Sequence, residues 1–202
     1  MGYLNTDWGD YGHWQALPVS FLGWAAGAAQ GWNVAEAEQA DWPGLVSRFA
    51  FDDPSGSMGQ VMYDLGNIYR LTGRELHNSS ALFWLLQWPA EQIAARGMLT
   101  REALVSCRAA IERACLPLVG ERMTRTDADL VRREVALTAR LLSHACRRGE
   151  LLLGTETMRQ ELRADLRQIM DEFRAIWLLR NRPGGLVDSM AGFERLLAEY
   201  RG

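Results

Sequence analysis

The chain contains no lysine: all 22 of its basic residues are arginine, and none precedes Arg48. Against 25 acidic residues this leaves a net charge of −3, which offers no electrostatic footprint for nucleic acid. The arginine bias reads as coding preference combined with solvated helix faces. Cysteine is scarce. Three residues, Cys107, Cys115 and Cys146, form neither a disulfide framework nor a metal-ligand spacing. Cys107 and Cys115 fall on an apolar helical stripe and Cys146 near an Arg-rich helix end, where buried structural thiols are expected. No Glu-x-x-His occurs, which excludes a helical di-iron bundle. No Arg-led leader precedes residue 16, and the apolar stretch from Leu17 to Trp32 is interrupted and too short to span a bilayer. A reduced, cytoplasmic setting without a membrane partner is the expectation.

About half the residues are apolar, enough for a proper core. The chain divides by character. Residues 1–44 hold five of the eight Trp, several Gly and no Arg, whereas residues 45–202 read as successive helices. The first region opens on a β-like stretch, Tyr3-Leu4-Asn5-Thr6, and continues through a Gly-punctuated loop, Asp7 to Gln15. After Pro18 a small-residue helix is expected from about Ser20 to Trp32. Its run of Ala and Gly suits close packing against something large and flat, such as a sheet.

The second region is expected to fold by itself. Asp53-Pro54-Ser55 opens a helix through Val61, Leu65, Ile68 and Leu71, which Thr72-Gly73 ends. Asn78 or Ser79 caps a short helix that stops before Pro89. Thr100 caps a helix striped by Leu104, Cys107, Ile111, Cys115 and Leu118. Thr126, Asp127 and Asp129 open a long helix striped by Leu130, Glu134, Leu137, Leu141 and Ala145, with acids favoured in its first turn. Thr155 caps another through Met158, Leu162, Leu166, Ile169, Phe173 and Ile176, and a last helix carries Met190, Phe193, Leu196 and Leu197. These spacings match buried helix faces, and the long helices are expected to be antiparallel neighbours in a bundle.

Glu134 interrupts an apolar stripe. Pairing with an arginine such as Arg140, Arg167 or Arg174 is the expected reason, and a site residue facing a cleft is the alternative. His144 and His77 stand among polar neighbours and are expected at the surface. The densest chemistry lies in the N-terminal loop, where Asp7, Trp8, Asp10, His13, Trp14 and Gln15 fall within nine residues. This cluster reads as a polar tail with aromatic packing, as a metal site of Asp7, Asp10 and His13, or as a sugar site. A loop with two glycines is poorly preorganised for a metal, so neither metal nor other cofactor is expected. Sugars present hydroxyls that carboxylates accept and C–H faces that stack on indoles. A strand followed by such a loop and a helix is also how (β/α)8 barrels display substrate groups.

The segment Thr6-Asp7-Trp8-Gly9-Asp10-Tyr11-Gly12-His13-Trp14-Gln15, continuing Leu17-Pro18-Val19-Ser20-Phe21-Leu22-Gly23, resembles the region around the last barrel strand in bacterial proteins similar to family 20 glycoside hydrolases, the β-N-acetylhexosaminidase group. Trp177-Leu178-Leu179-Arg180-Asn181-Arg182-Pro183-Gly184-Gly185-Leu186, with Asp188-Ser189, resembles the end of those proteins. The resemblance implies the C-terminal portion of a glycoside hydrolase: the last βα unit of a TIM barrel in residues 1–44, then an α-helical domain in residues 45–202. It implies sugar-binding positions at Asp7, Trp8, Asp10, His13 and Trp14. The family's catalytic acids sit on earlier strands and have no counterpart here, and one strand cannot close a barrel. No catalytic residue is therefore assigned, and the chain alone is expected to be inactive on N-acetylhexosamine-containing sugars, binding carbohydrate when joined to a barrel. The expected fold is mainly α, a helical bundle with a residual strand–loop–helix N-terminus. Two other functions remain: a non-catalytic helical module that binds a partner or itself through its Trp-rich N-terminus, and a stand-alone hydrolase using other acids.

Overall fold

The computed structural model describes residues 2–97, 99–154 and 158–201. Among the described residues ten α-helices form a mainly helical bundle: α1 (Leu17–Trp32), α2 (Val34–Gln39), α3 (Trp42–Ala50), α4 (Ser57–Asn67), α5 (Ala81–Gln87), α6 (Ala90–Arg96), α7 (Arg101–Cys115), α8 (Ala128–Leu152), α9 (Arg159–Arg180) and α10 (Leu186–Glu199). Single 3-10 turns extend α4 and α7.

Helix α8 is the central rod, packed by α1, α5, α7 and α9. Its stripe is buried from Glu134 through Leu137, Leu141 and Ala145, as the three-and-four spacing requires. Helix α9 faces it with Leu162, Leu166, Ile169, Phe173 and Ile176. The antiparallel register shows in the charges flanking this seam. Arg133, Arg140 and Arg147, one heptad apart on α8, meet Glu172 at 2.8 Å, Asp165 at 2.7 Å and Glu161 at 2.8 Å on α9. Each such partly solvated pair contributes ~0–1 kcal/mol, so the ladder selects register more than it adds stability.

Several helix starts differ from expectation for a local reason. Asp53 does not open α4 as a helical residue. Its carboxylate accepts from Ser55 Oγ at 2.6 Å and from the backbone N–H groups of Ser55, Met58 and Arg122 at 2.8–3.0 Å, so the helix begins later, at Ser57. Burial raises the Asp53 pKa, but these hydrogen bonds outweigh it and hold the group below its ordinary value. Ser80, rather than Asn78 or Ser79, caps α5 by accepting from Phe83 N–H at 3.1 Å. Asn78 instead accepts from Trp84 Nε1 through its carbonyl, and Ser79 adopts a left-handed φ of 62°. Thr100 caps α7 through Ala103 N–H at 3.2 Å. Thr155 lies outside the described residues.

The N-terminal helix starts at Leu17, a turn earlier than expected, because Pro18 sits where a first-turn residue needs no N–H donor. Its small-residue surface is covered by the chain's own N-terminus instead of a sheet. The Tyr3 ring lies over Gly31, Asn5 lies over Gly27, and Asn5 Nδ2 donates to Trp24 O at 2.9 Å. A Cβ at Gly27 would come within 2.9 Å of both side chains. Residues 3–6 form no strand, since no ladder partner is adjacent among the described residues. A second close crossing joins α3 to α4, where Gly59 N–H donates to Ser47 Oγ at 2.6 Å and a Cβ would collide with the Pro43 carbonyl. Helix α3 runs through residue 44, and Trp14, Phe21 and Leu22 pack into the same core as α8, α9 and α10.

The expectation that His144 lies at the surface is overturned. It is fully buried on α8, with Nδ1 2.6 Å from Asp165 and Nε2 3.0 Å from Tyr200 Oη. A carboxylate only accepts, so neutral His144 donates from Nδ1 and accepts the Tyr200 hydroxyl at Nε2. Its polar partners were invisible in the local sequence, because they arrive from α9 and the end of α10. Cys107 and Cys146 are buried and Cys115 is half-buried, in keeping with structural thiols.

Candidate functional site

The loop from Asp7 to Gln15 is fixed from two sides. On one, Asp7 accepts from Gln15 Nε2 at 2.6 Å and from Ser20 Oγ at 2.5 Å, tying the loop to the first turns of α1. On the other, Trp14 is buried. Its ring lies flat on Phe193 of α10, centroids 3.7 Å apart and planes 6° from parallel, and its Nε1 donates to Ser189 O at 2.8 Å. Gly12 passes over Ser189 with φ +78°, and a Cβ there would lie 2.7 Å from the Ser189 Cα. Only glycine combines that left-handed backbone with so close an approach. The two sequence segments carrying the family resemblance therefore touch, although 175 residues separate Trp14 from Ser189.

These anchors sort the five expected site residues into different roles. Asp7 is a brace for the loop. Trp14 is an anchor in the core, with its ring committed to Phe193. Trp8 and Asp10 remain at the surface, and Trp8 is 74 % exposed. They border a cleft of about 250 Å³ together with Tyr11 and Gly12 from the loop and Asn78, Ser79 and Phe83 from the start of α5. Tyr11 is held there edge-on against Trp84, centroids 4.9 Å apart. The cleft thus offers an indole and a carboxylate from the anchored loop, with an amide and a hydroxyl from Asn78 and Ser79 just before α5.

His13 turns to the opposite side of the loop. There it lines a separate cleft of about 170 Å³ with Trp14, Gln15, Glu134, Trp177 and Arg180 among others. Glu134 is paired with an arginine, as expected, but the partner is Arg180. Arg180 donates from Nε and Nη2 to the two carboxylate oxygens at 2.9 and 2.6 Å, and from Nη1 to Asp127 at 2.8 Å. Asp127 is held also by Arg125. Hydrogen bonds from Arg125, then Arg180, lower the Asp127 pKa to about 2, and the bond to Glu134 foremost raises that of Arg180. Two carboxylates and two guanidinium groups leave this cluster without net charge.

From the sequence Asn78 and Ser79 were expected only as helix caps, and neither Phe83 nor Arg180 was given a site role. Asp127, the N-cap of α8, and Glu134 two turns into it are seven residues apart, a spacing that signals a shared cation; the α8–α9 register then decides which arginine arrives. No such signal marks Asn78 and Ser79, because only the packing of α5 brings them beside the loop. Among the described residues no group of three or more His, Cys, Asp or Glu side chains converges as metal ligands do, and no helix is long and apolar enough to cross a membrane. Comparison with protein-family models, curated proteins and solved structures gave no match.

Proposed function

We propose that this chain is the C-terminal, sugar-contacting portion of a glycoside hydrolase acting on N-acetylhexosamine-containing sugars, supplying binding residues without the catalytic acid pair. The observation that carries the reading is Trp8: an indole 74 % exposed on an anchored loop, beside Asp10, Asn78 and Ser79 in one cleft. A pyranose has an apolar C–H face for the indole and hydroxyls for the carboxylate, amide and serines. An anchored loop loses little freedom on binding, so these contacts yield affinity. In this reading residues 3–6, which form no strand here, correspond to the segment that would complete a barrel sheet, and α1 corresponds to the helix after it.

Titration of the intrinsic Trp fluorescence with N-acetylglucosamine and its β-1,4-linked dimer and trimer tests the proposal. A saturable response is expected, lost in Trp8→Ala and weakened in Asp10→Asn. Absence of any saturable response overturns it. Aryl N-acetylhexosaminides are expected to show no turnover above background, because hydrolysis needs a positioned proton donor on the leaving oxygen. Turnover that disappears with Asp7→Asn would establish a stand-alone hydrolase instead.

A second reading, an interaction module that binds a partner or itself, is favoured by Trp32. It ends α1 at 92 % exposure, next to exposed Val34. Covering such an indole contributes on the order of 2–3 kcal/mol. Sedimentation of the chain and of Trp32→Ser distinguishes the two: a concentration-dependent dimer abolished by the substitution supports this reading, and a monomer at all concentrations rejects self-association.

A further inference from the structure

The two clefts flanking the loop are joined through one residue: Gln15 lines both. The second cleft has chemistry of its own. Its polar edge is the Glu134–Arg180 ion pair, with Glu134 fully buried. Arg180 uses three N–H donations on Glu134 and Asp127, and a guanidinium has five, so two remain. Next to Arg180 on the same face of α9 the lining is aromatic: Phe173 and Trp177 pack with centroids 5.7 Å apart, and Trp177 is oriented by its Nε1 donation to Arg182 O at 2.8 Å. Asn181 and His13 complete the lining.

This lining selects by charge and by shape. The buried Glu134 carboxylate and the Arg180 guanidinium already compensate each other, so a charged ligand of either sign gains little from the pair and loses its hydration. A neutral ring with hydroxyls around its edge and an apolar face meets donors, acceptors and an aromatic wall at once. We infer that the sugar site is bipartite: an oligosaccharide of two or more neutral units lies across Gln15, one unit on Trp8 and Asp10, another on Trp177 beside Arg180 and Asn181. This inference rests on the carbohydrate reading above and specifies its ligand as an oligomer instead of a single sugar.

The test uses the full chain with N-acetylglucosamine and its β-1,4-linked dimer and trimer as probes. Affinity is read by calorimetry, and indole Nε1–H resonances by two-dimensional NMR. Affinity is expected to rise about tenfold or more from monomer to trimer, as linked sites require. The trimer shifts the Trp8 and Trp177 resonances together, whereas the monomer shifts Trp8. Asn181→Ala, an exposed position, lowers trimer affinity severalfold without altering the melting temperature. Equal affinity for monomer and trimer, a trimer that moves only one of the two indoles, or an indifferent Asn181→Ala variant overturns the bipartite site. Sugar binding at Trp8 would then still stand. If no probe binds at all, the carbohydrate reading itself fails.

Discussion

Trp14 lies flat on Phe193, with ring centroids 3.7 Å apart, and so fastens the N-terminal loop to the last helix. The stack is seated on Gly192: a Cβ there would come 2.7 Å from Trp14 Cζ2. Gly192→Ala is therefore expected to destabilise the protein by about 1–3 kcal/mol, because a buried ring fixed by a hydrogen bond cannot move aside. Trp14→Ala leaves a large cavity and is expected to cost about 3–5 kcal/mol. Urea unfolding measures both, and a change below 0.5 kcal/mol for either (within the ordinary scatter of roughly ±0.5 for surface substitutions) would show that the loop is not anchored there.

The Glu134–Arg180 pair is asymmetric. Arg180 is partly solvated and keeps Asp127, whereas Glu134 has no exposed side-chain surface. Arg180→Leu strands a buried carboxylate and is expected to cost about 3–5 kcal/mol. Glu134→Gln keeps the volume and leaves Arg180 bonded, so about 1–2 kcal/mol is expected. Equal losses in denaturant melts would contradict this ordering.

Acidification should loosen the C-terminal helix through His144. Burial, opposed by the Asp165 hydrogen bond and charge, lowers the His144 pKa below its ordinary 6.5, and Arg147 and Arg148 add to the lowering. Burial raises the Asp165 pKa, but hydrogen bonds from His144 and Arg140 outweigh it and lower the group. For both residues the unfolded chain binds protons first. Their contribution is complete above about pH 6.5 and declines as pH falls through the depressed His144 value, then again in the Asp165 range. Thermal melts between about pH 8 and 5 should show a falling Tm that His144→Gln flattens while lowering Tm at the upper end. An unchanged pH profile in the variant would remove His144 as the cause.

A chain beginning at residue 45 loses Trp14 and the Asp41 cap of α3, whose side chain accepts from Gly44 N–H at 3.1 Å. The α7–α8–α9 packing survives, so a cooperative, helix-rich melt is expected at a lower temperature than the intact chain. Circular dichroism decides it, and a melt matching the intact chain would mean that residues 1–44 contribute nothing to the core.

Much of the bundle was legible because its rules are local. The stripes of α7, α8, α9 and α10 follow from three-and-four spacing, and Thr100 caps by bonding a backbone N–H three residues on. Helices α2, α3 and α6 carry no comparable stripe: six, nine and seven residues hold too few turns to display a period. Of the five loop positions expected to meet sugar, spacing alone did not separate the anchor Trp14 and the brace Asp7 from Trp8, Asp10 and His13. All five are polar or aromatic, and nothing within the loop says which indole finds a ring to stack on.

The sequence by itself determined that the chain is mainly helical, where its long helices run, and that an acid on the α8 stripe needs an arginine. These are consequences of helix period, capping and the cost of a buried charge, which act within a few residues or through one obligatory partner. The tertiary structure decided which arginine pairs with Glu134, that His144 is buried between Asp165 and Tyr200, and that Tyr3 and Asn5 lie on the glycines of α1. It also decided that one loop borders two clefts. Each of these depends on the register and crossing of elements distant in the chain, and side-chain chemistry does not encode that register until the helices have packed.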